Sequence, residues 1–161
     1  MTRLILTLLV ALFPLVSLAS PPIDKLLVHK QERRLEVISE GKVIREYRVA
    51  LGKQPVGHKR QRGDQRTPEG IYTIDWRHPS PNYNLSLHLD YPNLKDRAAA
   101  YERGLDPGSM IMIHGTPIDE DYPEWFYTGL DWTNGCIALD NESMQELWDL
   151  VPDQTIVEII P

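Results

Sequence analysis

Cys136 is the single cysteine of this 161-residue chain, so it cannot form an intrachain disulfide. A cysteine attacks as its thiolate, and a nearby imidazole favours that form by stabilising the charge. Of the five histidines, His114 is the best placed partner, because it ends the apolar run 110–113 and precedes Gly115. We predict that His114 is the partner of the thiol and that Gly115 lets a backbone carbonyl approach the imidazole as the orienting third group. The alternative is an inert buried cysteine, because free cysteines are often buried.

The residues just before the thiol favour a tight turn. Gly135 permits backbone conformations that other residues avoid, and the N–H groups at Asn134 and Gly135 would then face an oxyanion. Thr133 begins this segment, and we predict that it contacts substrate. A chain with one cysteine also lacks the ligands for a cysteine-based zinc cluster.

A long polar segment, residues 52–70, is the predicted rim of the site. It contains four of the ten glycines and five cationic residues. Long loops in compact domains are uncommon unless they serve a function. We call this segment the basic loop and expect it to border a binding cleft.

The elements that must position these residues are mostly strands. Alternating or β-branched apolar residues predict strands over 26–29, 34–38, 43–51, 70–76, 85–89 and 154–160. Short helices are predicted over 95–103, with Asn93 near the N-cap, and after Asp140 or Asn141. The expected fold class is mainly β with two short flanking helices, in an antiparallel or mixed sandwich or barrel.

The strand over 85–89 brings two further polar side chains to one face. Ser86 and His88 are two residues apart and therefore point the same way. His78 falls in a turn-rich link over 78–83. These three residues either line the substrate groove or satisfy local hydrogen bonds.

The N-terminus is typical of a secretory signal peptide. Arg3 precedes an apolar run from Leu4 to Leu18, and the small residues Ser17 and Ala19 flank Leu18. We predict a signal peptide over 1–19, a catalytic domain over 20–161, no membrane span after cleavage, and export to the periplasm or cell wall. An uncleaved anchor is the alternative. No cysteine follows the cleavage region, which excludes a lipoprotein anchor there.

The charge distribution limits the partners. The net charge is −6, which disfavours nucleic acid because binding it requires basic charge. Residues 20–103 hold 16 Lys and Arg against 11 Asp and Glu, whereas residues 104–161 hold 12 acids and no base. This asymmetry indicates either segregated solvated faces or a groove that orients a substrate carrying both amines and carboxylates.

Three separated motifs resemble the L,D-transpeptidase catalytic domain family, also called the YkuD domain. They are Gly-Asp-Gln-Arg-Thr-Pro-Glu-Gly-Ile-Tyr at 63–72, His-Gly-Thr at 114–116 and Thr-Asn-Gly-Cys-Ile at 133–137. The resemblance implies a β-sandwich that acts on bacterial peptidoglycan stem peptides without metal or cofactor. The resemblance further implies that Cys136 is the nucleophile, that His114 is the base and that the Gly115 carbonyl orients it. Cys136 would form a thioester at diaminopimelate and release D-alanine, His114 would move the proton, and an amine acceptor would be cross-linked.

The chain departs from the commonest family pattern at two positions. Asn134 stands where many members have histidine, and Ala138 stands where many have an arginine able to hold a carboxylate. We predict that Arg62 and Arg66 of the basic loop supply that clamp. The departures resemble a murein-acting branch that includes an amide hydrolase, so hydrolysis or release of a tethered lipoprotein is an alternative activity. A non-catalytic peptidoglycan-binding module is a second alternative.

Overall fold

The computed structural model describes residues 22–118 and 122–161. The predicted signal peptide, 1–19, lies outside the described residues. In the described part of the chain, no helix has the length and apolar character needed to cross a membrane. The elements, in chain order, are β1 (Lys25–His29), β2 (Arg34–Ser39), β3 (Lys42–Arg48), β4 (Gly70–Ser80), β5 (Asn84–Leu89), α1 (Leu94–Glu102), β6 (Met112–His114), α2 (Glu124–Gly129), β7 (Ile137–Ala138), α3 (Asn141–Leu150) and β8 (Ile156–Ile160).

The strands form one mixed sheet in the order β3-β2-β1-β8-β4-β5-β6-β7. The β1–β8 and β6–β7 pairs are parallel and the other pairs are antiparallel. β4 joins the two halves of the sheet, because its first residues pair with β8 and its later ones with β5. Ala50, just after β3, exchanges two 2.8 Å backbone hydrogen bonds with Ala138 of β7. This bridge links the segment that follows β3 to β7, the strand at the opposite edge of the sheet.

The core is built from the alternating apolar residues that predicted the strands. Leu26 and Val28 of β1 are fully buried, and their neighbours in the strand are half-buried. β2 follows the same alternation. The C-terminal strand β8 lies between β1 and β4, so its Val157 and Ile159 occupy the middle of the sheet. One continuous apolar cluster supports the whole domain.

The mainly β fold class is confirmed, but the number of helices was wrong. α1 begins after Asn93, whose side chain accepts from the backbone N–H of Asp96, as predicted. α3 begins after Asp140, which accepts from the N–H of Ser143. The described residues contain a third helix, α2, which the sequence did not indicate. Its six residues have neither an apolar period nor a side-chain hydrogen bond at the N-cap residue, Pro123.

Two strand boundaries differ from the prediction by three residues or more. β3 ends at Arg48 rather than residue 51, because residues 49–51 leave β2 and Ala50 bonds to β7. β4 continues to Ser80 through the segment expected to turn. Pro79 is tolerated there, and the turn falls at residues 81–83.

Candidate active site

Cys136 and His114 are brought to one face of the sheet by the pairing of β6 with β7. Ile113 aligns with Ile137, and His114 aligns with Ala138. Cys136 directly precedes β7, and the alternation of side chains, continued by one residue, would place the thiol on the face of Ala138 and His114. Ile113 and Ile137 point the opposite way and are fully buried. The strand register therefore brings the backbone that carries the thiol beside the strand that carries the imidazole.

His114 is held as a neutral base. Its Nδ1 lies 2.7 Å from the Gly115 carbonyl oxygen. A carbonyl only accepts, so Nδ1 carries the proton and the Nε2 lone pair remains available. The rings of Tyr83 and Trp132 lie 4.5 and 5.7 Å from the imidazole centroid. Burial lowers the pKa of His114 to about 4, although the bond to Gly115 acts in the opposite direction.

Gly115 occupies a position where a side chain would clash. A Cβ atom there would lie 2.2 Å from Asn141 Oδ1 and 2.9 Å from the Tyr83 carbonyl oxygen. The Asn141 side chain accepts from the Thr116 N–H and donates to the Thr116 hydroxyl, at 3.1 and 2.9 Å. Asn141 begins α3, so the N-terminus of this helix fixes the loop that carries the His114–Gly115 hydrogen bond.

Thr133 shapes the turn that carries the thiol. Its hydroxyl accepts from the Gly135 N–H at 3.1 Å and donates to the Cys136 carbonyl at 2.7 Å. Gly135 has a φ of 134°, in the region that favours glycine. Since the Gly135 N–H is engaged within the turn, the N–H groups of Asn134 and Cys136 are the better candidates to face an oxyanion.

The basic loop packs directly against this turn. A Cβ at Gly135 would lie 2.7 Å from the Arg66 carbonyl oxygen, and one at Gly52 would lie 2.2 Å from the Gln65 carbonyl oxygen. The N–H of Gly52 donates to the Thr67 hydroxyl at 3.0 Å. The absence of side chains at Gly52 and Gly135 allows this close approach, so the loop and the turn are positioned by each other.

A cleft of about 360 Å³ opens between the turn and the basic loop. Lys59 lies in its wall, and its side chain is only 4% exposed. Its ammonium donates to the Asp64 carboxylate at 2.7 Å and to the Gln61 carbonyl at 3.2 Å. Other lining residues are Arg62, Gln65, Met110, Asn134 and Cys136.

The Cys136 thiol rests in its protonated form. It donates to the Met110 carbonyl, with 3.6 Å between sulfur and oxygen. Burial raises the pKa of the thiol, while a backbone hydrogen bond from Met112 and the charge of Lys59 act to lower it. At neutral pH the site therefore holds a neutral thiol and a neutral imidazole, which can accept the thiol proton during attack.

A family comparison agrees with this geometry. Residues 24–159 match the model of the L,D-transpeptidase catalytic domain, YkuD. The chain belongs to this family.

Individual relatives support the assignment. YafK of Escherichia coli K12, provisionally named an L,D-transpeptidase, is 25% identical over 130 residues, which are 77% of this chain and 45% of YafK. Bd1075 of Bdellovibrio bacteriovorus has a TM-score of 0.63 at 28% identity, covering 90% of this chain and 50% of that one. Pgp2 of Campylobacter jejuni, a helical cell shape determining protein, has a TM-score of 0.64 at 27% identity. The match covers 87% of this chain and 49% of the Pgp2 chain. The chain thus spans about half the length of these three relatives.

The two arginines predicted as a carboxylate clamp occupy different places in this L,D-transpeptidase domain. Arg62 lines the Cys136 cleft, but its guanidinium is exposed and bonds to Asp106 at 2.7 Å. The Arg66 guanidinium lies near Gly57, where an added Cβ would be 3.1 Å from Nη1. Arg66 contributes its carbonyl group to the packing on Gly135. A substrate contact by either guanidinium stays a prediction.

Ser86 and His88 lie on the same face as His114 but in different surroundings. Ser86 pairs with His114 in the β5–β6 register, is 1% exposed, and has no hydrogen-bond partner for its hydroxyl in the described residues. His88 bonds to Asp75 at 2.6 Å and stacks on Trp76. His78 stacks on the same indole and is exposed. Substrate contact by these residues stays a prediction.

Lys59 is the site residue that sequence reasoning did not single out. It was one of five cations in a loop whose conformation the sequence pattern does not specify. Asp64 determines that conformation by accepting from the N–H groups of Arg60, Gln61 and Arg66, as well as from Lys59. The one sequence signal that could have identified Lys59 is Asp64, an aspartate five residues after it in a glycine-rich loop.

Proposed function

We propose that this domain is an exported cysteine acyltransferase that acts on peptidoglycan stem peptides, as an L,D-transpeptidase. The observation that carries the proposal is a free thiol and a neutral imidazole on one sheet face, with His114 Nδ1 bonded to a backbone carbonyl. Export rests on the predicted signal peptide over 1–19. The relation to Pgp2 suggests a role in cell shape.

The geometry supports a two-step acyl transfer. His114 Nε2 accepts the Cys136 proton as sulfur attacks the carbonyl of the diaminopimelate residue. The N–H groups of Asn134 and Cys136 stabilise the tetrahedral oxyanion. The bond to D-alanine then breaks, His114 returns the proton to the departing amine, and a thioester remains. An amine acceptor attacks the thioester, which forms the new amide and regenerates the thiol.

Lys59 supplies a cation that the substrate carboxylates need. A lysine ammonium has three donors, and two of them bond to Asp64 and Gln61. The third remains available in the Cys136 cleft, where it can bond to a stem-peptide carboxylate. In this proposal Lys59 stands in for the arginine that Ala138 replaces, and Arg62 adds a weaker contact from the cleft rim.

Hydrolysis is the second candidate, and the Ser86 hydroxyl favours it. A buried hydroxyl with no protein partner is a place where an ordered water is held. Because Ser86 lies opposite His114 in the sheet register, such a water would be close to the base. Water would then resolve the thioester, giving carboxypeptidase activity or release of a lipoprotein tethered to diaminopimelate.

Mass spectrometry of the purified protein with disaccharide-tetrapeptide tests the chemistry. We expect loss of D-alanine and a tripeptidyl thioester on Cys136, both reduced at least about 1,000-fold in Cys136→Ala. A cross-linked dimer with an added amine identifies transpeptidation, and free tripeptide alone identifies hydrolysis. If neither forms, muropeptides bearing a lipoprotein remnant are tested next. Binding without reaction on every substrate would refute the enzymatic proposal and leave a binding module.

A further inference from the structure

A second cleft lies on the other side of the basic loop from Cys136. Its volume is about 770 Å³, roughly twice that of the Cys136 cleft. One wall comes from the basic loop through His58 and Arg60, and the other comes from α1 through Lys95 and nearby residues. None of the residues that line it also line the Cys136 cleft. The two clefts are therefore separate.

Three cations in this second cleft have no acidic partner in the described part of the chain. They are Arg60, Lys95 and Arg103, and their side chains form no ion pair there. We call this space the cationic cleft. The acidic side chains that share it offset this charge only in part, because Glu69 is already neutralised by Lys30 and Asp96 balances one of the three cations.

Both acids in the cleft are engaged by other groups. Asp96 is buried and accepts from the Tyr72 hydroxyl at 3.1 Å, and its other oxygen lies 3.2 Å from His58 Nε2. Glu69 pairs with Lys30 at 2.8 Å. With Glu69 neutralised by Lys30, the three cations outnumber the remaining carboxylate, so the lining side chains keep a net positive charge that favours an anionic ligand.

The floor of the cationic cleft is apolar. Ile71 is 63% exposed there, which is unusual for an isoleucine in a strand. Ala99, Ile159 and Pro161 continue the apolar lining. A ligand that complements this cleft carries carboxylates for the cations and alkyl groups for the apolar floor. A peptide of acidic residues and alanines meets both requirements, whereas a polymer of phosphates lacks the alkyl part.

We propose that the cationic cleft binds a second stem peptide of the same peptidoglycan, through its carboxylates and methyl groups. This inference rests on the proposed function, because it takes peptidoglycan as the substrate polymer. Lys59 and Arg60 are consecutive, and the first lines the Cys136 cleft while the second lines the cationic cleft. One loop thus separates the reacting stem from a neighbouring stem that holds the enzyme on the polymer.

Sedimentation with purified sacculi tests this proposal without requiring turnover. In a Cys136→Ala background, the triple variant Arg60→Ala, Lys95→Ala, Arg103→Ala should bind about tenfold more weakly, since each exposed ion pair contributes modestly. The matched control removes three cations that line neither cleft, Lys42, Arg48 and Arg97. The control should bind within about twofold of the parent, and circular dichroism confirms that both variants are folded.

Two further arms identify the occupant and separate this proposal from the catalytic one. Glycan strands stripped of stem peptides by an amidase should not bind through the cationic cleft, and neither should a glycerol phosphate polymer. With Cys136 restored, the triple variant should process soluble disaccharide-tetrapeptide like the parent. Equal weakening in the control, unchanged sacculus binding, or cleft-dependent binding of the phosphate polymer would each overturn the assignment. An inactive parent that still binds sacculi through the cleft would refute only the proposed reaction.

Discussion

Two buried lysines hold the two sides of the basic loop, and they differ in how completely their ammonium groups are bonded. Lys30 is 2% exposed and donates to the Gly57 carbonyl, the Thr67 carbonyl and the Glu69 carboxylate, at 2.7 to 2.9 Å. Lys59 is 4% exposed and donates to two acceptors in the described residues. An ammonium has three N–H groups, so Lys30 is saturated and Lys59 is not.

The difference separates an anchoring role from a chemical one. Lys30 bonds to the carbonyl groups of Gly57, in the first part of the loop, and of Thr67, near its end. The Thr67 hydroxyl also accepts from the N–H of Gly52. Lys30 therefore fixes the loop that packs on Gly135, although it does not line the Cys136 cleft. Lys59 is similarly buried, but it lines that cleft and has one more donor than the two acceptors, Asp64 and Gln61, that bond to it in the described residues. Residue type and burial are the same in the two lysines, and the hydrogen-bond count distinguishes their roles.

The largest effect is expected from Lys30→Met, which should lower the free energy of unfolding by about 3 kcal/mol. The substitution leaves the Glu69 carboxylate without its partner and removes the donor from two carbonyl groups. Urea denaturation followed by circular dichroism measures the change. The control is Lys25→Met, which breaks a partly exposed pair with Glu158 and should cost less than about 1 kcal/mol. Equal destabilisation by the two substitutions would contradict the anchoring role.

Lys59→Met should act mainly on turnover. We expect kcat/KM on the tetrapeptide to fall about 30-fold, because a charge-assisted hydrogen bond to the substrate is lost. The loop should persist, since Asp64 still accepts from three backbone N–H groups. Lys59→Arg keeps the charge and should recover part of the activity. A Lys59→Met protein with full activity, or one as destabilised as Lys30→Met, would remove the distinction between the two lysines.

The strands and the helix N-caps could be predicted because their signals are local. Alternation of buried residues in β1 and β2 and the N-caps at Asn93 and Asp140 each depend on a few neighbouring residues. The family resemblance implied the Gly115 carbonyl as the group that orients His114, and the structure has that hydrogen bond. These features needed no knowledge of distant parts of the chain.

The features that could not be predicted depend on contacts between distant residues. A substrate contact by Thr133 stays a prediction, but the sequence did not indicate that its hydroxyl bonds within the turn, where Gly135 packs closely on Arg66. The α2 helix lacks an apolar period, and its buried Tyr127 packs against Trp132, a residue outside the helix. Lys59 could be told apart from the other cations of the loop only once its acceptors were known.

The smallest expected effect is a change in the pH dependence of Cys136 alkylation. Iodoacetamide reacts with the thiolate, so the rate rises with pH through the pKa of the thiol. Burial raises that pKa, and the Lys59 charge lowers it by stabilising the thiolate. In Lys59→Met the opposing charge is gone, so the midpoint of the alkylation profile should move to higher pH and the rate at pH 8 should fall.

Lys59→Arg should restore the parent midpoint, and Lys30→Met should leave it unchanged, because Lys30 is not among the charges that act on the thiol. If Lys59→Met alkylates at the parent midpoint, its ammonium does not act on the thiolate, and any loss of turnover must come from substrate binding alone.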